Sequence, residues 1–344
     1  MDKREILKET IEHIDVKSFD STPILEAMGK MSFSSRDTAR AAEILLQMIE
    51  DDDCSIILTI AGSTSAAGCM RLYADMVESK MVDAVVATGA SIVDMDFFEA
   101  LGFKHYRGSP SADDEALRRL YVDRIYDTFI DEEELQVCDR TVKEIADGLP
   151  PGIYSSRAFI AAMGSYLTRH AAKKGSLVQT AFEHDVPIFC PAFSDSSAGF
   201  GLVLHQEGRD EYVSIDSVRD FRELTEIKIR ARKSGLFMIG GGVPKNFAQD
   251  TVVCAEVLGK EVPVHAYAVQ ITVADVRDGA CSSSTMREAS SWGKVGTAHE
   301  QMVYAEATTV LPLIVSAAYH RGSWKRRDER RYNRLFRPIA AAGR

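Results

Sequence analysis

Apolar and polar residues alternate in blocks along the chain, and the blocks predict buried strands separated by helices. Short, continuous apolar runs that end at turn residues are typical of strands covered on both faces of a parallel sheet. Longer segments with apolar residues three or four positions apart are typical of amphipathic helices. The predicted strands lie in residues 55–62, 81–90, 186–193, 236–242 and 264–272.

The order of these elements predicts the fold class. Helical patterns fill residues 1–53 and recur between the strands. This is the βαβ order of an α/β fold with a doubly wound, mostly parallel sheet of the Rossmann-like type and helices on both faces. Residues 102–175 interrupt it with a polar, mostly helical insertion. We therefore predict one domain over residues 1–344, ending in a basic tail at 321–344 that is helical or frayed, and is solvated or contacts another subunit.

Composition and charge restrict the classes of partner. The 344-residue chain, with 45% hydrophobic and 27% charged residues, has the composition of a soluble globular protein. Its net charge of −10 argues against nucleic acid, because phosphate binding needs a basic surface, and suits cationic small molecules. No apolar stretch approaches the roughly 18 residues of a membrane helix, and the N-terminus lacks a signal-peptide pattern. We therefore predict a cytoplasmic protein without a membrane partner.

The cysteine and histidine patterns do not predict a metal site. The six cysteines include no C-x-x-C pair, and the eight histidines are scattered without the spacing of metal ligands. Buried thiols and packed or surface histidines are the simpler interpretation.

Polar loops follow all five predicted strands, at the edge where open α/β sheets bind ligands. The loops are "AGSTSAAG", "TGASIVD", "SDSSAG", "GGGVPK" and "TVADVRDGACSSS". Loops of this kind present backbone N–H groups to anions such as a dinucleotide pyrophosphate. Each loop alone is equally typical of a turn with a helix cap. Neither "GSTSAAG" nor "GGGVPK" matches a known phosphate-binding motif, so spacing alone does not name the ligand.

The segment "EASSWGK" suggests a second kind of chemistry. If it ends a short helix, Glu288 and Trp292 share one face, Gly293 stops the helix and Lys294 leads away from it. An indole beside a carboxylate is suited to an alkylammonium group. A lysine near bound cations and apolar groups is more readily neutral and can attack a C=N or C=O bond. A capped surface helix with a packed tryptophan is the alternative, which the local sequence favours.

Several segments taken together resemble deoxyhypusine synthase and its bacterial homologues. They are "KMVDAVVATGAS", "VPIFCPAFSDSS", "GGGVPK", "SSWGKV" and "VYAEATTVLPLIV", and the similarity runs in order over nearly the whole chain. The resemblance implies an NAD-dependent aminobutyl transferase that takes its group from spermidine and carries it as an imine on Lys294. It also implies a homotetramer with sites formed between subunits.

The resemblance further assigns binding residues. The polyamine site would include Glu288, Trp292, Asp94, Asn246 and Lys245. The cofactor site for NAD would include residues from the strand-end loops and from one later segment. These are Gly62, Ser63, Thr64, Ser65, Ala66, Thr88, Gly89, Ala90, Asp195, Gly241, Ala274, Glu306 and Ala307.

Some positions depart from the family pattern. Phe200 replaces an aspartate that holds a substrate ammonium, Asn246 replaces a histidine, and an acidic pair becomes Val93 and Asp94. Loss of a partner for a desolvated ammonium weakens binding by about 1–3 kcal/mol. The first hypothesis is therefore transfer to a small amine, as in a homospermidine synthase. The second is a true deoxyhypusine synthase that modifies a protein lysine, and the third is a catalytically silent protein that binds NAD or polyamine.

Overall fold

A six-stranded parallel sheet forms the centre of the fold. The computed structural model describes residues 2–277 and 285–336. Across the sheet the strand order is β11-β10-β9-β1-β2-β7, and all seven residues of β1 are buried. The strands are β1 Cys54–Ile60, β2 Ala84–Ala87, β3 His105–Arg107, β4 Val122–Ile125, β5 Thr128–Asp131, β6 Gly152–Tyr154, β7 Ile188–Phe189, β8 Val213–Ile215, β9 Lys233–Ile239, β10 His265–Thr272 and β11 Val295–Tyr304.

Helices cover both faces of this sheet, as the sequence predicts. Neighbouring residues of a strand point to opposite faces. Ile56 and Leu58 accordingly join one apolar cluster with α3, α4, α8, α9 and α15, while Ile57 joins another with α11, α12 and α14. The helices are α1 Lys3–Ile6, α2 Thr22–Met28, α3 Phe33–Glu50, α4 Met70–Glu78, α5 Phe98–Ala100, α6 Asp114–Arg119, α7 Glu132–Asp147, α8 Ser156–His170, α9 Leu177–Glu183, α10 Ser197–Gln206, α11 Ser217–Arg230, α12 Gly242–Gln249, α13 Thr251–Val257, α14 Met286–Ser291 and α15 Ala307–Arg321.

The path of the chain through the sheet reverses once. From β1 the chain moves outward through β2 to β7, and then returns to β9 on the other side of β1. Both neighbours of β1 pair with it in parallel, with Ile57 opposite Ala84 of β2 and Leu236 of β9. The reversal leaves a crevice between the carboxyl ends of β1 and β9, because the connections leave these two strands in opposite directions.

The interrupting segment is less helical than its sequence pattern predicts. Residues 102–175 contain α6, α7 and α8, but also an antiparallel sheet in the order β3-β5-β4 and the strand β6, which pairs with β8. These strands are only three or four residues long and mix charged with apolar side chains, as in "VDRI". Such short segments give little periodic signal, so the sequence pattern predicts the helices of the insertion and does not show its strands.

The described part of the basic tail, residues 321–336, is anchored to the domain by two buried residues, while most of its other side chains are half-buried or exposed. The Arg327 side chain is 2% exposed and donates to Asp83 Oδ1 (2.9 Å) and to the Cys54 carbonyl (2.6 Å). Tyr332 is also buried, and its hydroxyl lies 2.6 Å from Ser55 Oγ. The tail therefore crosses the amino ends of β1 and β2. Within the described ranges, no helix has the length and apolar character needed to cross a membrane.

Candidate active site

A cleft of about 530 Å³ opens at the carboxyl ends of the strands, beside the crevice between β1 and β9. The volume lies within the range of sites for small molecules and cofactors. Loops that follow β1, β2, β7, β9 and β10 all contribute to its wall. The wall consists of Ala61, Gly62, Ser63, Ala87, Thr88, Gly89, Ala90, Pro191, Ala192, Asp195, Gly240, Gly241, Gly242, Val243, Pro244 and Thr272.

Two glycines show why this edge is rich in small residues. Gly62 has a φ of +77°, in the left-handed region that favours glycine, and no atom lies within 4 Å of where its Cβ would be. At Gly89 a Cβ would lie 2.5 Å from Ser196 Oγ, so the loops after β2 and β7 approach too closely for a side chain. The cleft floor is therefore formed largely by backbone, which can offer N–H groups to a ligand.

The structure brings seven of the predicted cofactor residues together in the cleft wall. They are Gly62, Ser63, Thr88, Gly89, Ala90, Asp195 and Gly241.

The other predicted cofactor residues lie nearby with different roles. Thr64, Ser65 and Ala66 are buried after the first loop, where Thr64 Oγ1 lies 2.7 Å from the Tyr73 hydroxyl. Ala274 N–H donates to Oγ1 of Thr272, a residue of the wall. Glu306 caps α15, which begins at Ala307, and accepts from two backbone N–H groups. The loop after β10 continues into residues 278–284, which lie outside the described residues.

An acidic cluster borders the cleft. Burial raises the pKa of Asp94 to about 7, although the Ser197 N–H that donates to Asp94 Oδ1 (2.7 Å) acts in the opposite direction. The negative charges of Asp139 and Asp195 raise this pKa further. Of these carboxylates, sequence reasoning missed Asp139, because only the fold carries α7 next to the loop after β2. The exposed Phe200 and Asp139 also line an adjoining cavity of about 640 Å³.

The lysine of the "WGK" segment lies at the opposite, amino edge of the sheet. Helix α14 ends at Ser291, Gly293 has a φ of +68°, and Lys294 immediately precedes β11, as the predicted helix stop requires. Lys294 forms an ion pair with Asp250 and lies 5.3 Å from the centre of the Trp292 ring. The indole is 68% exposed. Sequence reasoning missed Asp250, which follows α12 and shows no local motif.

Glu288 has a different local role from the one its spacing predicts. Its carboxylate accepts from Thr285 N–H, while Thr285 Oγ1 accepts from Glu288 N–H, so the two form a capping box at the start of α14. These bonds, together with the charge of Lys245, hold the pKa of Glu288 below its usual value. Glu288 therefore positions α14 directly.

Lys245 and Asn246 lie on α12, which runs back from the cleft. Lys245 is fully buried, and its Nζ donates to Gln270 Oε1 (2.8 Å) on β10. Asn246 is half-buried, and its carbonyl accepts from the N–H of Asp250, the partner of Lys294. Helix α12 thus extends from the cleft wall to the vicinity of Lys294.

Within one chain, the cleft and Lys294 are separated by the length of a strand. The Lys294 carbonyl accepts from His265 N–H at the start of β10, whereas Thr272 at its end lines the cleft. Eight strand residues place these two backbone positions about 25 Å apart, at roughly 3.3 Å per residue. The Lys294 side chain lies nearer to the cleft, because its partner Asp250 follows α12, whose eight residues span about 12 Å from the cleft wall. The structure therefore assembles two separate groups of predicted residues, one at each edge of the sheet.

The fold and the cleft define an α/β protein of the doubly wound class, with a cleft at its topological switch point. The family model for deoxyhypusine synthase matches residues 23–318. A "deoxyhypusine synthase-like protein" of Coxiella burnetii is 68% identical over 337 residues, which cover 97% of this chain and 96% of that protein. "Probable deoxyhypusine synthase 2" of Methanosarcina mazei is 38% identical over 309 residues, or 90% and 89% of the two chains.

A solved structure agrees on the fold. The crystal structure of a candidate deoxyhypusine synthase from Entamoeba histolytica superposes with a TM-score of 0.58 at 20% identity, over 90% of this chain and 97% of that one. The chain belongs to the deoxyhypusine synthase family, which confirms the resemblance drawn from the sequence. Membership indicates an enzyme, an aminobutyl transferase.

Proposed function

We propose that the protein is an NAD-dependent aminobutyl transferase in which Lys294 carries the transferred group from a polyamine donor to a small amine acceptor, as in a homospermidine synthase. The observation that carries the proposal is Lys294 itself, held between Asp250 and the exposed indole of Trp292. A carboxylate and an aromatic face together are suited to an alkylammonium substrate.

The cleft fits a dinucleotide. Its floor is glycine-rich backbone at the switch point, where the N–H groups of several loops converge on one volume. Residues Gly62, Ser63, Thr88, Gly89 and Gly241 would hold the phosphates and sugars. When bound, NAD supplies a hydride acceptor for the donor amine and a hydride donor for the product, so that the transfer involves no net oxidation.

We infer that a complete site requires two copies of the chain, because in one copy Lys294 lies outside the cleft, beyond the far end of α12. Exposed apolar side chains lie at both places, Val243 in the cleft wall and Trp292 beside the lysine. Covering such surface favours association. We therefore place Lys294 of one copy against the cleft of another, in the homotetramer that the family resemblance implies.

The carboxylate beside the lysine has a position from which it can take part in the transfer. A lysine attacks as the neutral amine, and Asp250 is the carboxylate in position to accept the proton that Lys294 Nζ loses. The neutral Nζ then bonds to the oxidised aminobutyl carbon of the donor, and 1,3-diaminopropane leaves as the old C–N bond breaks. An acceptor amine displaces Lys294 from the same carbon. Reduction of the resulting C=N bond gives the product.

The surroundings of Phe200 favour a small acceptor. Phe200 lines one cavity with four carboxylates, which outnumber the two basic residues of the same lining. The carboxylates are Asp114, Asp123, Glu132 and Asp139, and the basic residues are Arg118 and Arg124. Carboxylates and an aromatic ring on one wall can bind a short diamine by charge pairing and cation–π contact. We expect this cavity to bind the far ammonium group of the acceptor.

Chemical trapping tests the proposal. The protein is incubated with NAD and spermidine, reduced with cyanoborohydride and analysed by peptide mass spectrometry, and the experiment is repeated with putrescine and agmatine. An aminobutyl adduct on Lys294 is expected, absent in Lys294→Ala and retained in Lys233→Ala. Lys233 is a suitable control because it lies at the same edge of the sheet and also pairs with an aspartate, Asp51. Full activity of Lys294→Ala would refute the proposal.

Two alternatives have distinct outcomes in the same experiment. A true deoxyhypusine synthase forms the Lys294 adduct but passes the group to a protein lysine and leaves free diamines unmodified. A silent binding protein is favoured by the observation that one chain holds Lys294 as an ion pair far from the cleft. It would bind NAD and give no adduct with any amine.

A further inference from the structure

Three buried polar side chains form a hydrogen-bonded network beside the Lys294 segment, at the amino edge of the sheet. Lys228, near the end of α11, is fully buried, and its Nζ donates to Ser234 Oγ (2.6 Å) at the start of β9. Ser234 Oγ lies 2.9 Å from Nδ1 of His265, the first residue of β10. We call these three residues the Lys228 network. The proposed transfer reaction has so far assigned them no role.

The directions of the two hydrogen bonds follow from the charges of the network. Burial lowers the pKa of Lys228 to about 8, so at pH 7 its side chain is an ammonium ion that can only donate. Burial and the neighbouring charge of Lys228 lower the pKa of His265 well below its usual value, so the ring is neutral. Ser234 Oγ therefore accepts from Lys228 and gives its own hydrogen to His265 Nδ1. The neutral ring then carries its hydrogen on Nε2.

The Nε2 atom of His265 faces the end of α12. Hydrogen bonding to the backbone of Ala248 and Gln249, the last two residues of that helix, acts against the lowering of the His265 pKa. Because Nδ1 is engaged by Ser234, the nitrogen that faces these carbonyls is Nε2. The contact is looser than a full hydrogen bond, since in the described parts of the chain Nε2 has no partner of ordinary geometry. With its hydrogen on Nε2 the ring is attracted to the carbonyls, whereas the other tautomer would turn a lone pair towards them.

The end of α12 carries the ion-pair partner of Lys294. Asp250 follows Gln249 directly as the C-terminal cap residue of α12, and its carboxylate pairs with Lys294 Nζ. His265 also contacts Lys294 itself, because its backbone N–H donates to the Lys294 carbonyl (2.9 Å). One buried residue therefore contacts the backbone of the lysine and the helix end that carries its carboxylate.

The ion pair depends on these backbones for its geometry. The Lys294 side chain is 14% exposed and that of Asp250 is 39% exposed. A pair open to solvent contributes little to its own position, because water competes for it and two flexible side chains lose freedom when they meet. Thr251 Oγ1 also donates to the Ala248 carbonyl (2.7 Å) at the end of α12, whereas His265 contacts both backbones.

We propose that His265, oriented by Lys228 through Ser234, is a positioning residue that holds Lys294 and Asp250 in the arrangement used for transfer. The three side chains of the network are buried, so they act through Lys294 and Asp250 and not on the substrate. The inference deepens the proposed function and rests on it for its catalytic consequence. The positioning itself can be measured without a substrate.

Labelling of Lys294 tests the positioning directly. The native protein is methylated with formaldehyde and cyanoborohydride, and the rate at Lys294 is followed by peptide mass spectrometry. Ser234→Ala breaks the network and should make labelling of Lys294 several-fold faster, because a released lysine is more exposed. Ser55→Ala is the matched control and should leave the rate unchanged. Ser55 lies opposite Ser234 in the pairing of β1 with β9, is equally buried, and bonds the Tyr332 hydroxyl instead.

Two changes at His265 separate positioning from packing. Glutamine can place an amide N–H near the position of Nε2, whereas asparagine reaches only the position of Nδ1. His265→Gln should therefore keep Lys294 labelling close to the wild-type rate, and His265→Asn should match Ser234→Ala. If His265→Asn does not fold, Lys228→Met replaces it, since this change removes the amine at nearly constant length and should also speed the labelling.

The trapping experiment measures the catalytic consequence. With saturating spermidine and NAD, Ser234→Ala and His265→Asn should form the Lys294 adduct roughly tenfold or more slowly, because a displaced nucleophile reacts less often. His265→Gln should restore the rate, and NAD affinity should not change in any variant. Unchanged labelling of Lys294 in Ser234→Ala and His265→Asn overturns the positioning role. Absence of the adduct in the wild type overturns the proposed function alone, and the labelling rates then decide the inference on positioning.

Discussion

Asp94 shows how burial of a single carboxyl group makes the stability of the folded protein depend on pH. Its pKa is raised to about 7 by burial, against an ordinary value of 3.8. Between these values the folded protein retains a proton that the unfolded chain has lost. Stability contributed by this group therefore falls as pH rises from about 4 to 7, at ~1.4 kcal/mol per pH unit.

Replacement of Asp94 by asparagine should remove this dependence. Asp94→Asn cannot ionise and still has an oxygen to accept from Ser197 N–H. We expect its melting temperature to exceed that of the wild type by an amount that grows between pH 4 and 7 and is constant above. Thermal unfolding at pH 5 and pH 8 checks this, with Asp52→Asn as an exposed control. An equal difference at both pH values would contradict the assignment.

Asp250 is the ion-pair partner of Lys294 and, with the Trp292 indole, forms the proposed site for the alkylammonium donor. Asp250→Asn keeps the shape of the side chain but removes its negative charge. We expect the spermidine concentration that gives half-maximal adduct formation in the trapping experiment to rise, because the donor ammonium loses a charged partner. The matched change Asp51→Asn, at the Lys233 pair, should leave this concentration unchanged. An unchanged concentration in Asp250→Asn would show that Asp250 does not bind the donor.

At the residue scale, the sequence predicts the local features around a reactive side chain better than it predicts which distant residues that side chain contacts. The helix stop before Lys294 is a local property, and the structure shows it. The partners Asp250 and Asp139 are distant from it in sequence and come close to their sites only through folding. Spacing predicts a shared face for Glu288 and Trp292, but spacing cannot show that Glu288 is engaged by the cap.

At the scale of elements, α14 is a short helix whose position depends on its cap. It has six residues, and the box between Thr285 and Glu288 is its N-terminal cap. Isolated helices of this length are unstable. The orientation of Trp292 and Lys294 therefore depends on this cap and on the burial of Met286 and Ala289.

Loss of the cap should affect both stability and the reaction. Thr285→Ala is expected to lower the free energy of unfolding by about 1 kcal/mol and to slow formation of the Lys294 adduct. Thr285→Ser retains the hydroxyl and should restore both. Chemical denaturation and the trapping experiment measure the two effects. Equal adduct rates in Thr285→Ala and the wild type would show that α14 is positioned by packing alone.

Pattern predicts five of the six strands of the central sheet and misses the sixth. β1, β2, β7, β9 and β10 are largely buried, and their sequences are continuous apolar runs. Strand β11, Val295–Tyr304, was missed because it contains the polar run "GTAHEQ". Strand β11 forms because its backbone pairs with β10, although its side-chain pattern does not predict a strand.

At the scale of the whole molecule, the two groups of site residues lie at opposite edges of one sheet. The sequence predicts the fold class because βαβ order is a property of the whole chain. The sequence cannot show that the two groups of site residues are separated, because Lys294 lies close in sequence to residues of the cleft edge such as Thr272. Only the direction of β10 and β11 reveals it.

Complementation between two inactive variants tests whether the active site is formed by the cleft of one chain and Lys294 of another. Lys294→Ala lacks the nucleophile, and Val243→Trp fills the cleft from a position that is exposed and free of backbone strain. Each variant alone should be inactive. Mixed oligomers, obtained by co-expression with different tags, should regain activity, because the intact cleft of one chain meets the intact lysine of the other. Inactive mixed oligomers would exclude a site between subunits.

The pairing of Arg327 with Asp83 also has a consequence for the order of synthesis. The two residues are 244 positions apart, and both are buried. Removing one partner of a buried ion pair costs about 3–5 kcal/mol. A ribosome that has translated β1 and β2 has therefore produced Asp83 long before Arg327, its ion-pair partner. A product that terminates before Arg327 leaves Asp83 without this partner, so the fold reaches its full stability only after translation has passed Arg327.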